Sequence, residues 1–222
     1  GVSSFAVANV DIISRGDVVF ETSVSTTGAM KVVADSQCDG VGQLVVAAGQ
    51  SVSVAKKFSV VTRDMTVDGN LVSALALEFS YSCSGLDIDI GTGSVSLTAF
   101  RISEAEMARL VAPDLYFVTP SGKITVYTLS LAATAGVSSP VYLDASYTGS
   151  VIFGGSSVFK SLSATAGNVV TIRGDVTALL SDLVLEGNYT GLATSYYTLD
   201  VVYPGSFVAA AIGKLSVQPT AQ

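Results

Sequence analysis

The sequence predicts an all-β protein: two tandem β-sandwich domains, immunoglobulin-like or jelly-roll, related by internal duplication and joined by a short connecting helix. Three observations predict it. Apolar residues alternate with period two along most of the chain, turn-forming residues recur about every ten positions, and landmarks match roughly 105 residues apart. Gly16 falls opposite Gly122, and Gly69 opposite Gly174. In the first half Cys-x-Gly occurs twice, as Cys38-Asp39-Gly40 and Cys83-Ser84-Gly85; in the second half Tyr-Thr-Gly occurs twice, as Tyr147-Thr148-Gly149 and Tyr189-Thr190-Gly191. The expected layout is a first sandwich over residues 1–102, a helical connector over 103–112 and a second sandwich over 113–222.

The elements follow in order. Phe5 to Ile13 reads as a long first strand with an edge open to outside pairing. Val18 to Val24, Gln43 to Ala47, Lys57 to Thr62 and Leu71 to Tyr81 follow, each bounded by Gly, Asp, Asn or Ser. Leu86-Asp87-Ile88-Asp89-Ile90 alternates strictly, Gly91-Thr92-Gly93 supplies a reversal, and Val95, Leu97 and Ala99 resume the pattern, which predicts a hairpin. Ser103 to Val111 breaks the alternation. Ser103 as N-cap with Glu106 three residues on is a capping box, and Pro113 stops the helix. In the second half Tyr197, Leu199, Val201 and Tyr203 share a face, Pro204-Gly205 turns the chain, and Phe207 to Leu215 returns. Thr177 to Leu185 reads as a strand by the repeat and as a helical turn by its composition.

Only 13% of the 222 residues are charged, against roughly 25% in ordinary soluble proteins, and mean hydropathy is +0.57. A surface that short of ions must be built from Ser, Thr, Gly, Ala and Val, which suits contact with neighbouring copies. Eleven basic and eighteen acidic side chains give a net charge of −7. Without a basic arm or stripe, nothing would neutralise phosphates, so direct nucleic-acid binding is not expected. No apolar run approaches the roughly 20 residues of a membrane span.

Histidine is absent, which excludes Ser-His-Asp and Cys-His catalysis and removes the commonest metal ligand. Glu21, Glu78 and Glu186 are the carboxylates available for a glycosidase-type pair, with no spacing that joins them. Asp87 and Asp89 share a strand face, which suits solvated positions better than a calcium site. Arg15-Gly16-Asp17 and Arg173-Gly174-Asp175 are candidate receptor-recognition turns, although Gly-Asp is also ordinary turn chemistry. Asn188-Tyr189-Thr190 is the sole glycosylation acceptor, and Asn9, Asn70 and Asn168 are available for a Lys–Asn cross-link without a spacing that selects them. The preferred reading of Cys38 and Cys83 is a structural disulfide in an oxidising compartment, with two buried thiols as the alternative.

These readings converge on a non-enzymatic structural subunit, without catalytic residues, cofactor or metal, that self-assembles into a virion coat or appendage or an extracellular filament. Its partners would be copies of itself and other virion or surface proteins. The rival reading is a secreted adhesin or glycan-binding module that uses loops at the sandwich ends.

Overall fold

The computed structural model describes residues 8–81, 86–93, 98–187, 199–201, 209–211 and 215–218. Its strands are two to five residues long, most with apolar side chains on alternate positions. In β4 (Met30–Val33), for example, Met30 and Val32 are buried while Lys31 is exposed. In the first three coils a short corner follows each strand and turns the chain onto a new face. The first coil comprises β1 (Val10–Ile13), β2 (Val18–Phe20) and β3 (Val24–Thr26). The second comprises β4, β5 (Gln43–Val46) and β6 (Ser51–Val54), and the third β7 (Phe58–Val61), β8 (Asp64–Val67) and β9 (Asn70–Ser73).

The fourth coil is enlarged. It carries β10 (Ala76–Ser80), β11 (Ile88–Ile90), β12 (Phe100–Ile102), α1 (Glu104–Met107) and β13 (Leu110–Val111). The fifth has β14 (Asp114–Val118) and β15 (Lys123–Val126), then a 3-10 turn over Leu131–Thr134. Regular coils resume with β16 (Val141–Ala145), β17 (Ser150–Phe153) and β18 (Ser157–Phe159), and with β19 (Leu162–Ala166), β20 (Val170–Ile172) and β21 (Val176–Ala178). The last described strands are β22 (Leu183–Gly187), β23 (Leu199–Val201), β24 (Ala209–Ala211) and β25 (Leu215–Gln218).

Equivalent strands of successive coils pair in parallel. The first face is a nine-stranded sheet in the order β1-β4-β7-β10-β14-β16-β19-β22-β25. The second is built from β2-β5-β8 and β12-β11-β15-β17-β20-β23, and the third from β3-β6-β9-β13 and β18-β21-β24. The molecule is a parallel β-solenoid with three faces around a single core.

This overturns the two antiparallel sandwiches. β11 and β12 pair in parallel, Asp89 beside Arg101, so the expected hairpin around Gly91-Thr92-Gly93 does not form; residues 94–97 lie outside the described set. β23 and β24 belong to different sheets, so the second expected hairpin does not form either. Leu71 to Tyr81 is two strands, β9 and β10, divided at the Ala74-Leu75 corner, and Thr177 to Leu185 contributes to β21 and β22 with no helix. Of Phe5 to Ile13, residues 8–13 are described, and the strand among them is β1 alone. The first sheet passes without a break across residues 103–112, because β10 pairs with β14 from Ala76 beside Asp114 to Ser80 beside Val118.

The physical reason lies in what alternation reports. Parallel sheets usually have both faces buried and read as continuous apolar runs. In a solenoid one face lines the core and the other meets solvent, so a parallel strand alternates as an antiparallel one does. The 105-residue landmarks are real but sample a shorter repeat. Gly16 and Gly122 both sit in corners between the first and second faces, before β2 and β15, and Gly69 and Gly174 in corners between the second and third, before β9 and β21. Each pair is four coils apart.

The core follows from the register. Phe79 stands beside Phe117 in the β10–β14 ladder, the rings stacked at 5.6 Å and 19°, and Phe100 from the second face meets Phe79 at 6.2 Å. Phe58, Phe153 and Phe159 are also fully buried. At corners, backbone lies on backbone. A Cβ at Gly149 would stand 2.3 Å from the carbonyl oxygen of Gly122, and one at Gly167 2.2 Å from that of Tyr147, so neither position has room for a side chain.

Candidate functional site

The three faces differ in charge. Strands of the first face carry Asp11, Lys31, Glu78, Asp114, Asp144 and Glu186, and strands of the second carry Asp64, Asp89, Arg101, Lys123 and Asp200. Strands of the third face, β3, β6, β9, β13, β18, β21 and β24, carry no Asp, Glu, Lys or Arg. Register places Ser25, Ser53 and Val72 side by side, with Val111 beside Val72. Val158 lies beside Thr177 farther along the same face. These positions are half-buried or exposed, whereas their neighbours Val52, Leu71 and Leu110 are fully buried. Val111 and the flanking Leu75 and Leu131 are among the exposed large apolar residues. The third face is thus a hydroxyl- and methyl-bearing surface, with its nearest charges at the corners, as at Asp68 and Arg109, which pair at 3.1 Å.

The second face holds a cleft of about 460 Å³ where β8 meets β12. Asp64, Thr66, Asp89, Thr92, Arg101, Ser103 and Glu106 supply its polar lining. Most of its acids are anchored. Asp64 Oδ1 accepts the backbone N–H groups of Met65 at 3.0 Å and Arg101 at 3.4 Å. Glu106 completes the capping box of α1: its Oε2 accepts the N–H of Ser103 at 2.9 Å, and Ser103 Oγ accepts the N–H of Glu106 at 3.2 Å. Glu106 Oε1 accepts the N–H of Val67 at 3.3 Å, which ties α1 to β8. Nearby, Glu104 accepts the N–H of Ser130 at 2.9 Å and the Thr92 hydroxyl at 3.2 Å. The hydrogen bonds from Ser130 are the main cause of a carboxyl pKa below the usual glutamate range. Among the described residues no group of three or more acidic or cysteine side chains could hold a metal ion.

The residues singled out by sequence are dispersed. Glu21 is exposed in the corner after β2. Glu78 pairs with Lys57 at 2.7 Å on the first face. Glu186 stands four strands from Glu78 in the same sheet, about 19 Å at the usual strand spacing, so no two of the three approach one another. Asp87 holds Lys123, with Oδ1 accepting its N–H at 2.8 Å and Oδ2 lying 3.1 Å from Nζ. Asp89 is buried at 3% exposure instead of facing water.

Arg15-Gly16-Asp17 occupies the corner between β1 and β2, where Asp17 Oδ1 accepts the N–H of Gln43 at 2.9 Å. Arg173-Gly174-Asp175 is the corner between β20 and β21. Gly174 is buried there against Gly155, and the Asp175 carbonyl accepts the N–H of Ser157 at 2.8 Å. Asn9 Oδ1 accepts the N–H of Ala29 at 3.1 Å, Asn70 begins β9, and Asn168 is exposed in the corner before β20. Cys38 is exposed in the corner between β4 and β5, in a loop organised by the fully buried Asp35, whose carboxylate accepts the N–H groups of Asp39 and Gly40. Tyr147 is 67% exposed in the corner between β16 and β17. Cys83, Asn188, Tyr189 and Thr190 lie outside the described residues.

Sequence reasoning missed two features. One is the division of charge among faces, which becomes visible only when each strand is assigned its place in a coil. The other is an outward aromatic stack, Tyr116 on Tyr142 at 4.4 Å and 5°, in register across β14 and β16; burial is the first cause of the raised Tyr116 pKa. Comparison with protein-family models, with curated proteins and with solved structures finds no match to this chain.

Proposed function

We propose that this chain is a non-enzymatic structural subunit that self-assembles, in an extracellular filament or a virion, through the uncharged third face of its solenoid. One observation carries the reading: among the described residues, no strand of that face contains Asp, Glu, Lys or Arg, while the strands of the other two faces contain eleven. With a net charge of −7, two copies meeting through the first or second face would bring acids together. Contact through the third face avoids that cost and buries Val72, Val111, Leu75 and Leu131. Apolar burial contributes about 25 cal/mol per Å² before ordering costs are subtracted.

The absence of histidine and the anchoring of Asp64 and Glu106 on backbone N–H groups support a role without catalysis. A Cys38–Cys83 disulfide belongs to the same proposal. Cys38 is exposed in the corner between β4 and β5, and Cys83 lies outside the described residues. No free cysteine occurs among the described residues. Oxidation by an exchanging disulfide donor would take two electrons from the two thiols and release two protons, which fits an extracellular setting.

The test is size-exclusion chromatography with light scattering and negative-stain microscopy on the wild type and on a Ser53→Glu, Val111→Glu double variant. Regular particles or fibres are expected from the wild type, and a folded monomer from the variant. A wild type that remains a 22.6 kDa monomer at high concentration, or a variant that assembles unchanged, contradicts the proposal.

A further inference from the structure

We infer that the cleft beside Arg101 binds an uncharged saccharide unit. This does not rest on self-assembly, because the cleft opens on the second face and the assembly surface is the third. Its volume, about 460 Å³, is within the range of small-molecule sites, roughly 300–1,000 Å³.

The cleft exists because the fourth coil places two strands, β12 and β11, on the second face. Thr66 of β8, Arg101 of β12 and Asp89 of β11 form its floor, and Ser103 and Glu106 at the start of α1 form one wall. Arg101 is exposed, and its guanidinium takes part in none of the three ion pairs among the described residues. Arg101 and Asp64 are linked by the Arg101 backbone N–H to Asp64 Oδ1, not through the guanidinium, so their side chains present a donor fork and an acceptor within one cleft.

The lining selects among ligand classes. Asp64, Asp89 and Glu106 outnumber Arg101, which opposes a phosphate, sulfate or carboxylate ligand. The guanidinium opposes a bare cation. Among the described residues no aromatic ring lines the cleft, so a nucleobase has nothing there to stack on. A neutral polyol fits: its hydroxyls accept from the Arg101 fork, donate to the Asp64 carboxylate, and exchange hydrogen bonds with Thr66, Thr92 and Ser103.

The experiment screens the full chain on an array of neutral, sialylated and sulfated oligosaccharides and repeats the screen with Arg101→Ala and Asp64→Asn. Arg101→Ala removes an exposed side chain outside the ion pairs, and Asp64→Asn keeps an oxygen for the two N–H groups, so both variants should melt at the wild-type temperature. Binding to neutral glycans is expected, weakened about tenfold by Arg101→Ala and severalfold by Asp64→Asn, as for loss of a hydrogen bond to a charged group. Absence of neutral-glycan binding, binding confined to sialylated or sulfated glycans, or neutral binding indifferent to both substitutions overturns the inference.

Discussion

Phe79 touches Phe117 along the first face and Phe100 across the core, so its removal opens a cavity lined by two rings that cannot both relax into it. Phe79→Ala should cost about 3–5 kcal/mol in chemical denaturation; a loss below about 1 kcal/mol would mean that the rings do not pack as described. Glu104 makes a different case. Folding holds its carboxyl below the usual range, so its contribution is present above the ordinary glutamate value near ~4.3 and is lost as pH falls through the lower folded value. Glu104→Gln should therefore cost about 0.5–1 kcal/mol at neutral pH, discounted for partial exposure, with the gap to wild type closing under acid. A gap independent of pH would deny the carboxylate its role. At this scale the sequence is legible in part: alternation puts Asp87 and Asp89 on one face, yet Asp89 is buried in β11 between β12 and β15, a pairing that local pattern does not reveal.

Among the elements, the start of α1 was the most legible, because its capping signal is local; its end was not, since the helix expected to run to Pro113 stops at Met107 and Leu110–Val111 is β13, paired with β9. Ser103 and Glu106 form the reciprocal capping box that their spacing requires, and Ser103→Ala should cost about 1 kcal/mol, read as a shift in the denaturation midpoint. Strand positions were legible in part: alternation marks β2, β5 and β7, while β4, β6 and β8 between them went unmarked. Their partners were not legible. A corner such as Thr62-Arg63 has the length of a hairpin turn, but β8 pairs with β5, a full coil earlier. The corner glycines mark the same boundary from the other side. Gly149→Ala forces a Cβ onto the Gly122 carbonyl, and a cost of about 1–3 kcal/mol is expected for such overpacking; a neutral substitution there would show that the coils do not stack so closely.

Across the whole molecule, each coil contacts mainly its neighbours, so stability accumulates coil by coil. A covalent tie between distant positions of the sequence would constrain the unfolded chain, and a Cys38–Cys83 bridge should contribute about 2–4 kcal/mol. Mass spectrometry with and without reductant checks it, and two free thiols in the purified chain would end the proposal. The scarcity of charge was legible in composition, but its arrangement was not, because face membership is a property of the coil and the coil lengths vary. Equivalent positions Phe58 and Leu77 are 19 residues apart, while Leu77 and Leu115 are 38 apart. The uncharged third face is tested most directly by photo-crosslinking, with a benzophenone amino acid placed at Val72 on that face or at Ser59 on the first. Covalent dimers from position 72 and none from position 59 are predicted; equal yields, or dimers from position 59 alone, would contradict assembly through the third face.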